Sequence, residues 1–143
     1  MRWFSALAMA VFPMGVPAGA NVLATCGPST GQAYYFDSKP GWYPDKISIG
    51  EFIFTMDDKN HPNLIFRDAR GKMIDAASDG AQLTFTRVAA PEFSILLLYP
   101  QTGVTESYNL IVSGKKRKLL WTSSKVHAGG IITKVGAYTA DCD

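Results

Sequence analysis

The sequence predicts an all-β fold, a single antiparallel meander of about eight strands forming a sandwich or small barrel. Short apolar runs rich in β-branched and aromatic residues recur along the chain, separated by clusters of Gly, Pro, Asp and Asn. The connections are too short for the helical crossovers that parallel strands require. Where polar and apolar residues alternate, they do so with the two-residue period of a strand.

Taken in order, Lys46 to Met56 (KISIGEFIFTM) reads as the first strand of this series, and the turn formers DDKNHPN end it. Leu64 to Phe66 and Met73-Ile74 are the next two strands, joined through DARG. Ser78-Asp79-Gly80 is a hairpin signal, because Asp-Gly accepts the positive φ of tight β-turns. In Ala81 to Val88, Leu83 and Phe85 share one face while Thr84 and Thr86 take the other. Phe93 to Tyr99 (FSILLLY) is almost continuously apolar, which predicts a central strand covered on both faces. Val104 to Val112 puts Val104, Glu106, Tyr108, Leu110 and Val112 on one face. Leu119 to Ser124 and Ile132 to Cys142 complete the meander, and SSKVHAGG between them has room for a helical turn.

The first 20 residues, MRWFSALAMAVFPMGVPAGA, have a different character. One charge (Arg2), an apolar stretch from Trp3 to Val16 and the small residues Ala18 and Ala20 form the three-part pattern of a secretory leader, with cleavage expected between Ala20 and Asn21. Pro13 and Pro17 interrupt a stretch already short for a membrane anchor. The expected organisation is therefore a signal peptide over residues 1–20 and an exported all-β domain over residues 21–143, periplasmic or secreted.

Cys26 and Cys142 are the two cysteines. In an exported chain they read most simply as one disulfide joining the two ends of the domain. The competing fate of Cys26 is lipidation, for which Leu23 and Ala24 are suitable neighbours and Thr25 a poor one. Removal of Arg2 with the leader lowers the net charge from +2 to +1. A domain so close to neutral has no global attraction to nucleic acid. No further run is long and apolar enough to span a membrane.

Several segments together, CG (26–27), AYYF (33–36), GWYPDKISIG (41–50), IFRDARGK (65–72), LLLYP (96–100), LLW (119–121) and the terminal ADC (140–142), resemble a group of small exported proteobacterial proteins of unknown function. Lys46 stands where those proteins have glycine. The resemblance implies export and paired cysteines, and it brings no catalytic residue with it.

Candidate sites follow from side-chain chemistry. His61 and His127 are far apart and lack a metal-ligand spacing, so no metal and no cofactor is expected. Asp57-Asp58-Lys59-Asn60 lacks the glycine and distal glutamate of a calcium loop and reads as a turn. Glu51 and Glu106 are carboxylates on otherwise apolar strand faces, a position that means either a strand rim or a polar cavity. Lys115, Lys116, Arg117 and Lys118 form the one charge run, at a hairpin tip, where they would either face solvent or contact an anion. Tyr34, Tyr35, Trp42 and Tyr43 form the aromatic concentration, and neighbours in a strand cannot both point inward.

The expected function is that of a non-enzymatic, monomeric binding module. Its surface would combine Tyr34, Tyr35, Trp42 and Tyr43 with the basic tip, and its partner would be a protein or glycan of the envelope, in the manner of an inhibitor-like protein binder. The alternatives are a small hydrolase using His61 or His127 in a spatially assembled site, and a lipoprotein anchored at Cys26.

Overall fold

In a computed structural model, which describes residues 19–37, 39–126 and 133–143, the chain is all-β. Among the described residues ten strands form one antiparallel sheet curled into a half-barrel. Residues 1–18, which hold most of the predicted leader, and His127 lie outside the described residues; of the segment 123–130 expected to have room for a helical turn, Ser123, Ser124 and Lys125 are strand.

The long first strand β1 (Asn21–Tyr35) organises the rest. One edge pairs with the last strand, β10 (Lys134–Cys142). Its other edge pairs first with β3 (Glu51–Met56) through residues 21–26, then with β2 (Gly41–Ile47) through residues 29–35. The ladder shifts register at Gly27-Pro28, where proline has no N–H to donate. The shift changes which side chains face inward: Ala24 and Cys26 are buried before it, Ser29 and Ala33 after it. A one-residue irregularity does this because side chains alternate faces strictly along a strand.

Beyond β3 the sheet continues through β4 (Pro62–Arg67) to the short β5 (Met73–Asp75). On the other flank β10 is followed by β9 (Lys116–Lys125), β8 (Val104–Ser113), β7 (Phe93–Tyr99) and β6 (Gln82–Arg87). The two flanks curl toward one another, so that Phe54 of β3 packs against Phe93 of β7 with ring centroids 5.6 Å apart. That interior, with Phe52, Leu64, Leu97, Leu110 and Leu119, is the hydrophobic core.

Four expectations change. There are ten strands because Asn21–Tyr35 and Gly41–Ile47 are both extended, although glycine, proline and polar residues mask them in the sequence. The run Lys46–Met56 is split by a turn at residues 48–50. A Cβ on Gly50 would approach Ile47 Cγ2 to 2.9 Å, so the turn is built around the missing side chain. Ser78-Asp79-Gly80 does turn the chain, with Gly80 at φ 91°, but β5 and β6 on either side of it do not pair. Finally, β7 is covered on one face: Leu97 is buried while Leu96 is 49% exposed. A curled single sheet has a solvent side, and among the described residues nothing covers it here.

Cys26 and Cys142 stand opposite each other in the β1–β10 ladder, with Cα atoms 4.0 Å apart, and are joined by a disulfide. Asp143 extends the junction, its N–H donating to Thr25 O at 3.0 Å and its carboxylate accepting from Thr25 N–H at 2.9 Å. The bridge spans 116 positions. In the chain-entropy account such a loop restricts the unfolded state by about 4–5 kcal/mol. Replacing both cysteines by serine is expected to lower unfolding free energy in urea by about 3–5 kcal/mol. An unchanged midpoint would show that strand pairing alone holds the ends together.

Candidate functional site

Where the sheet curls, inward-facing residues of successive strands form continuous rows. One row runs Asp45, Gly31, Tyr138, Trp121, Tyr108 and Ile95 across β2, β1, β10, β9, β8 and β7. The three aromatic rings stack: Tyr108 and Trp121 lie 5.6 Å apart at 16°, and Trp121 and Tyr138 lie 4.1 Å apart at 18°. Phe52 closes on Trp121 from the opposite flank at 5.6 Å. Such a row buries large apolar area and is rigid. It separates the packed core from an open cavity of about 590 Å³ at the mouth of the half-barrel, a size suited to a small molecule.

Glycine positions this row. A Cβ on Gly31 would lie 2.0 Å from the backbone oxygen of Ala137, so only glycine fits where β1 crosses β10. The same absence leaves open space between Asp45 and Tyr138. A Cβ on Gly136 would meet the Tyr138 ring and hydroxyl, so the ring leans along its own strand over that glycine. The Tyr138 hydroxyl consequently donates to Asp45 Oδ2 at 2.8 Å, and Lys134 Nζ donates to the same oxygen at 2.6 Å. Lys134 also lies 5.3 Å from the Tyr35 ring centre. This cluster fastens β2, which pairs with β1 alone, to β10 across the barrel wall.

The electrostatics of the cluster are mutual. Burial pushes the Asp45 carboxyl up, but the hydrogen bonds from Lys134 and Tyr138 and the lysine charge outweigh it and hold it below the usual 3.8. Burial acts to lower Lys134, and the Asp45 carboxylate more than reverses this, leaving its ammonium above the ordinary lysine range.

Above the aromatic row stands Glu106 of β8. It is 8% exposed. Tyr108 donates its hydroxyl to Oε2 at 2.6 Å, and Ser123 of β9 donates to Oε1 at 3.0 Å. None of the ion pairs among the described residues involves Glu106. Burial first, and then the Glu106 charge, raise the Tyr108 hydroxyl well above its usual range. Tyr99, on the cavity wall, is pushed up to about 12 by burial and by the charges of Asp79, Glu106 and Asp75. Its hydroxyl and the indole N–H of Trp121 are buried without a hydrogen-bond partner among the described residues. Turns at residues 68–70 and 101–102 form the rim.

The residues singled out in the sequence fall elsewhere or at the cavity's edge. Tyr34 and Trp42 face outward with Phe36, ring centres 4.7 and 5.6 Å from Tyr34, and Trp42 is 61% exposed. Tyr35 and Tyr43 pair on the inner face at 6.1 Å. The hairpin carries these aromatics on two faces, and no single surface collects all four. Lys115 and Lys116 are exposed at the β8–β9 turn. Arg117 instead donates to Leu23 O at 2.7 Å and to Asp143 O, and Lys118 pairs with Asp141. Half of the basic run thus fastens the terminal strands. Glu51 is the rim carboxylate, paired with Arg67 at 3.2 Å. His61 sits in the β3–β4 turn with Nδ1 2.9 Å from Asp57 Oδ2, and His127 lies outside the described residues.

Glu106 was visible in the sequence as a charge on an apolar face. Asp45, Lys134, Tyr99 and Ser123 carried no such signal, since each is ordinary in its own segment. Comparison with known proteins adds no guide: no family model, curated protein or solved structure matches this chain.

Asp45→Asn is expected to cost about 1–3 kcal/mol, the penalty for leaving a half-buried ammonium poorly paired. It should also speed amide exchange over residues 41–47. Because folding lowers the Asp45 pKa, its contribution is present above the unfolded value near 3.8 and lost as pH falls through the folded one. The stability gap between wild type and Asp45→Asn should therefore shrink below about pH 4. A gap independent of pH would show that Asp45 acts by packing alone.

Proposed function

We propose that this chain is an exported, non-enzymatic binding protein that holds a small molecule in the mouth of its half-barrel. The observation that carries the reading is Glu106: a carboxylate held by two hydroxyls, almost wholly buried, bordering a cavity with an aromatic floor. Strand interiors do not bury a charge for stability, because desolvation usually costs more than hydroxyl partners return. A mostly apolar pocket with a few convergent polar groups is the usual form of a ligand site.

The disulfide supports an oxidising compartment, periplasmic or extracellular, in keeping with the leader-like first 20 residues. Among the described residues no helix is long and apolar enough to cross a membrane. The disulfide occupies the Cys26 sulfur that a lipid anchor would require. Residues 21–26 also form the β1–β3 ladder, so cleavage before Cys26 would remove most of that pairing.

A second reading retains a macromolecular partner, docked on the outward aromatics Tyr34, Phe36 and Trp42. The exposure of Trp42 favours it. One experiment separates the two. The uncharged fluorophore N-phenyl-1-naphthylamine is expected to bind one equivalent. Val104→Phe, which fills the cavity wall, should weaken it by about tenfold, equivalent to about 1.4 kcal/mol, while Trp42→Ser leaves it unchanged. Loss of binding in Trp42→Ser with retention in Val104→Phe would move the site to the outer aromatic surface. Absence of fluorophore binding to the wild type, together with absence of binding by small aromatic amines and alcohols, would remove the cavity as a ligand site.

A further inference from the structure

The chemistry around Glu106 specifies more than the presence of a ligand. An ionised carboxylate offers about four acceptor positions, and the hydroxyls of Tyr108 and Ser123 fill two. No lysine or arginine among the described residues lies within ion-pairing distance. Lys134, half-buried on the cavity wall, is committed to Asp45.

The cations that line the cavity do not cancel this. They are Lys46, Arg70, Lys125 and Lys134: Lys46 and Arg70 are exposed, where solvent and salt screen their fields, Lys134 is held by Asp45, and Lys125 is half-buried on the wall but beyond ion-pairing distance of Glu106. Glu106 is nearly dry, and its field is screened far less. An anion reaching the cavity floor would face an unpaired carboxylate. A neutral molecule would leave that carboxylate uncompensated and drier than before. A cation would supply charge-assisted hydrogen bonds to the free lone pairs.

We propose that the cavity's ligand is a small organic molecule carrying an ammonium group, which pairs with the Glu106 carboxylate while its apolar part covers the aromatic floor of Tyr108 and Trp121. This rests on the reading of the cavity as the ligand site, and the test distinguishes failure of one from failure of the other.

Three probes of similar size and shape differ chiefly in charge: 2-phenylethylammonium, 2-phenylethanol and 3-phenylpropionate. Calorimetry on the disulfide-intact protein at neutral pH is expected to rank the ammonium tightest, by about tenfold over the alcohol, with the carboxylate weakest. Glu106→Gln should reduce the ammonium-to-alcohol ratio to about unity, chiefly by weakening the ammonium. Ser123→Ala, which frees a carboxylate lone pair without removing the charge, should keep or increase the ratio. This second variant and the wild-type ranking decide the matter even if Glu106→Gln folds poorly. Equal or stronger binding of the alcohol or the carboxylate would overturn the ammonium assignment and leave the cavity reading intact, as would silence from all three probes where N-phenyl-1-naphthylamine binds. Silence from every probe and the fluorophore would overturn both.

Discussion

The structure depends on one arrangement: β1 is shared by three neighbours and closed onto β10 by the Cys26–Cys142 bridge. A curled sheet whose first and last strands are adjacent must bring together chain ends far apart in sequence, and closing a long loop is entropically costly. The terminal ladder, the disulfide and the Arg117 and Asp143 contacts all act at this junction. With it in place, β3–β5 hang from one end of β1 and the β6–β10 meander from its partner. The interior between them is then defined. Without it the two flanks would be separate sheets, each with an exposed apolar face.

The division of the interior into packed core and open mouth follows from side-chain size along the strands. Phe54, Phe93, Leu64 and Leu110 fill one end. The Tyr108–Trp121–Tyr138 stack seals it. Beyond the stack, the row through Ser123, Gly136 and Ala33 is made of small residues, which cannot reach across the barrel. Space remains, and Glu106 stands beside it. Glu106 is tolerated there because each of its oxygens finds a donor nearby, and the ladder register supplies those donors: Ser123 is the direct cross-strand neighbour of Glu106, while Tyr108 lies two residues along the same strand and therefore on the same face.

Much of the fold was legible in the sequence. Alternation placed the inner faces of β6 and β8 correctly, because a strand with one wet face must alternate. The turns at Pro100–Gly103 and Ser113–Lys115 were legible from their residue types. Asn21–Tyr35 and Gly41–Ile47 were not, because their inward positions carry Ser29, Gly31, Ala33 and Asp45 where a core strand ordinarily carries large apolar residues. These are the strands beside the cavity and the β1–β10 crossing, where tertiary geometry demands small or polar side chains. Phe93–Tyr99 misled in the opposite sense: its outward leucines imitate a doubly buried strand. As to the site, Glu106 betrayed itself as a charge on an apolar face, whereas the Asp45–Lys134–Tyr138 cluster joins residues 89 and 93 positions apart and leaves no local mark.

The sequence by itself determined the all-β class, the positions of most turns, the inward face of the meander strands and the availability of two cysteines for one bond. These are local or compositional properties, set by side-chain alternation, turn chemistry and residue count. Only the tertiary structure decided that the sheet curls without closing at β5 and β6, that an aromatic stack divides its interior, and that Glu106 borders a cavity while Glu51 takes the rim. Those outcomes depend on which strands become neighbours and in which register. Register is a long-range property, fixed by the β1–β10 closure and by the glycines that let backbone and ring approach there.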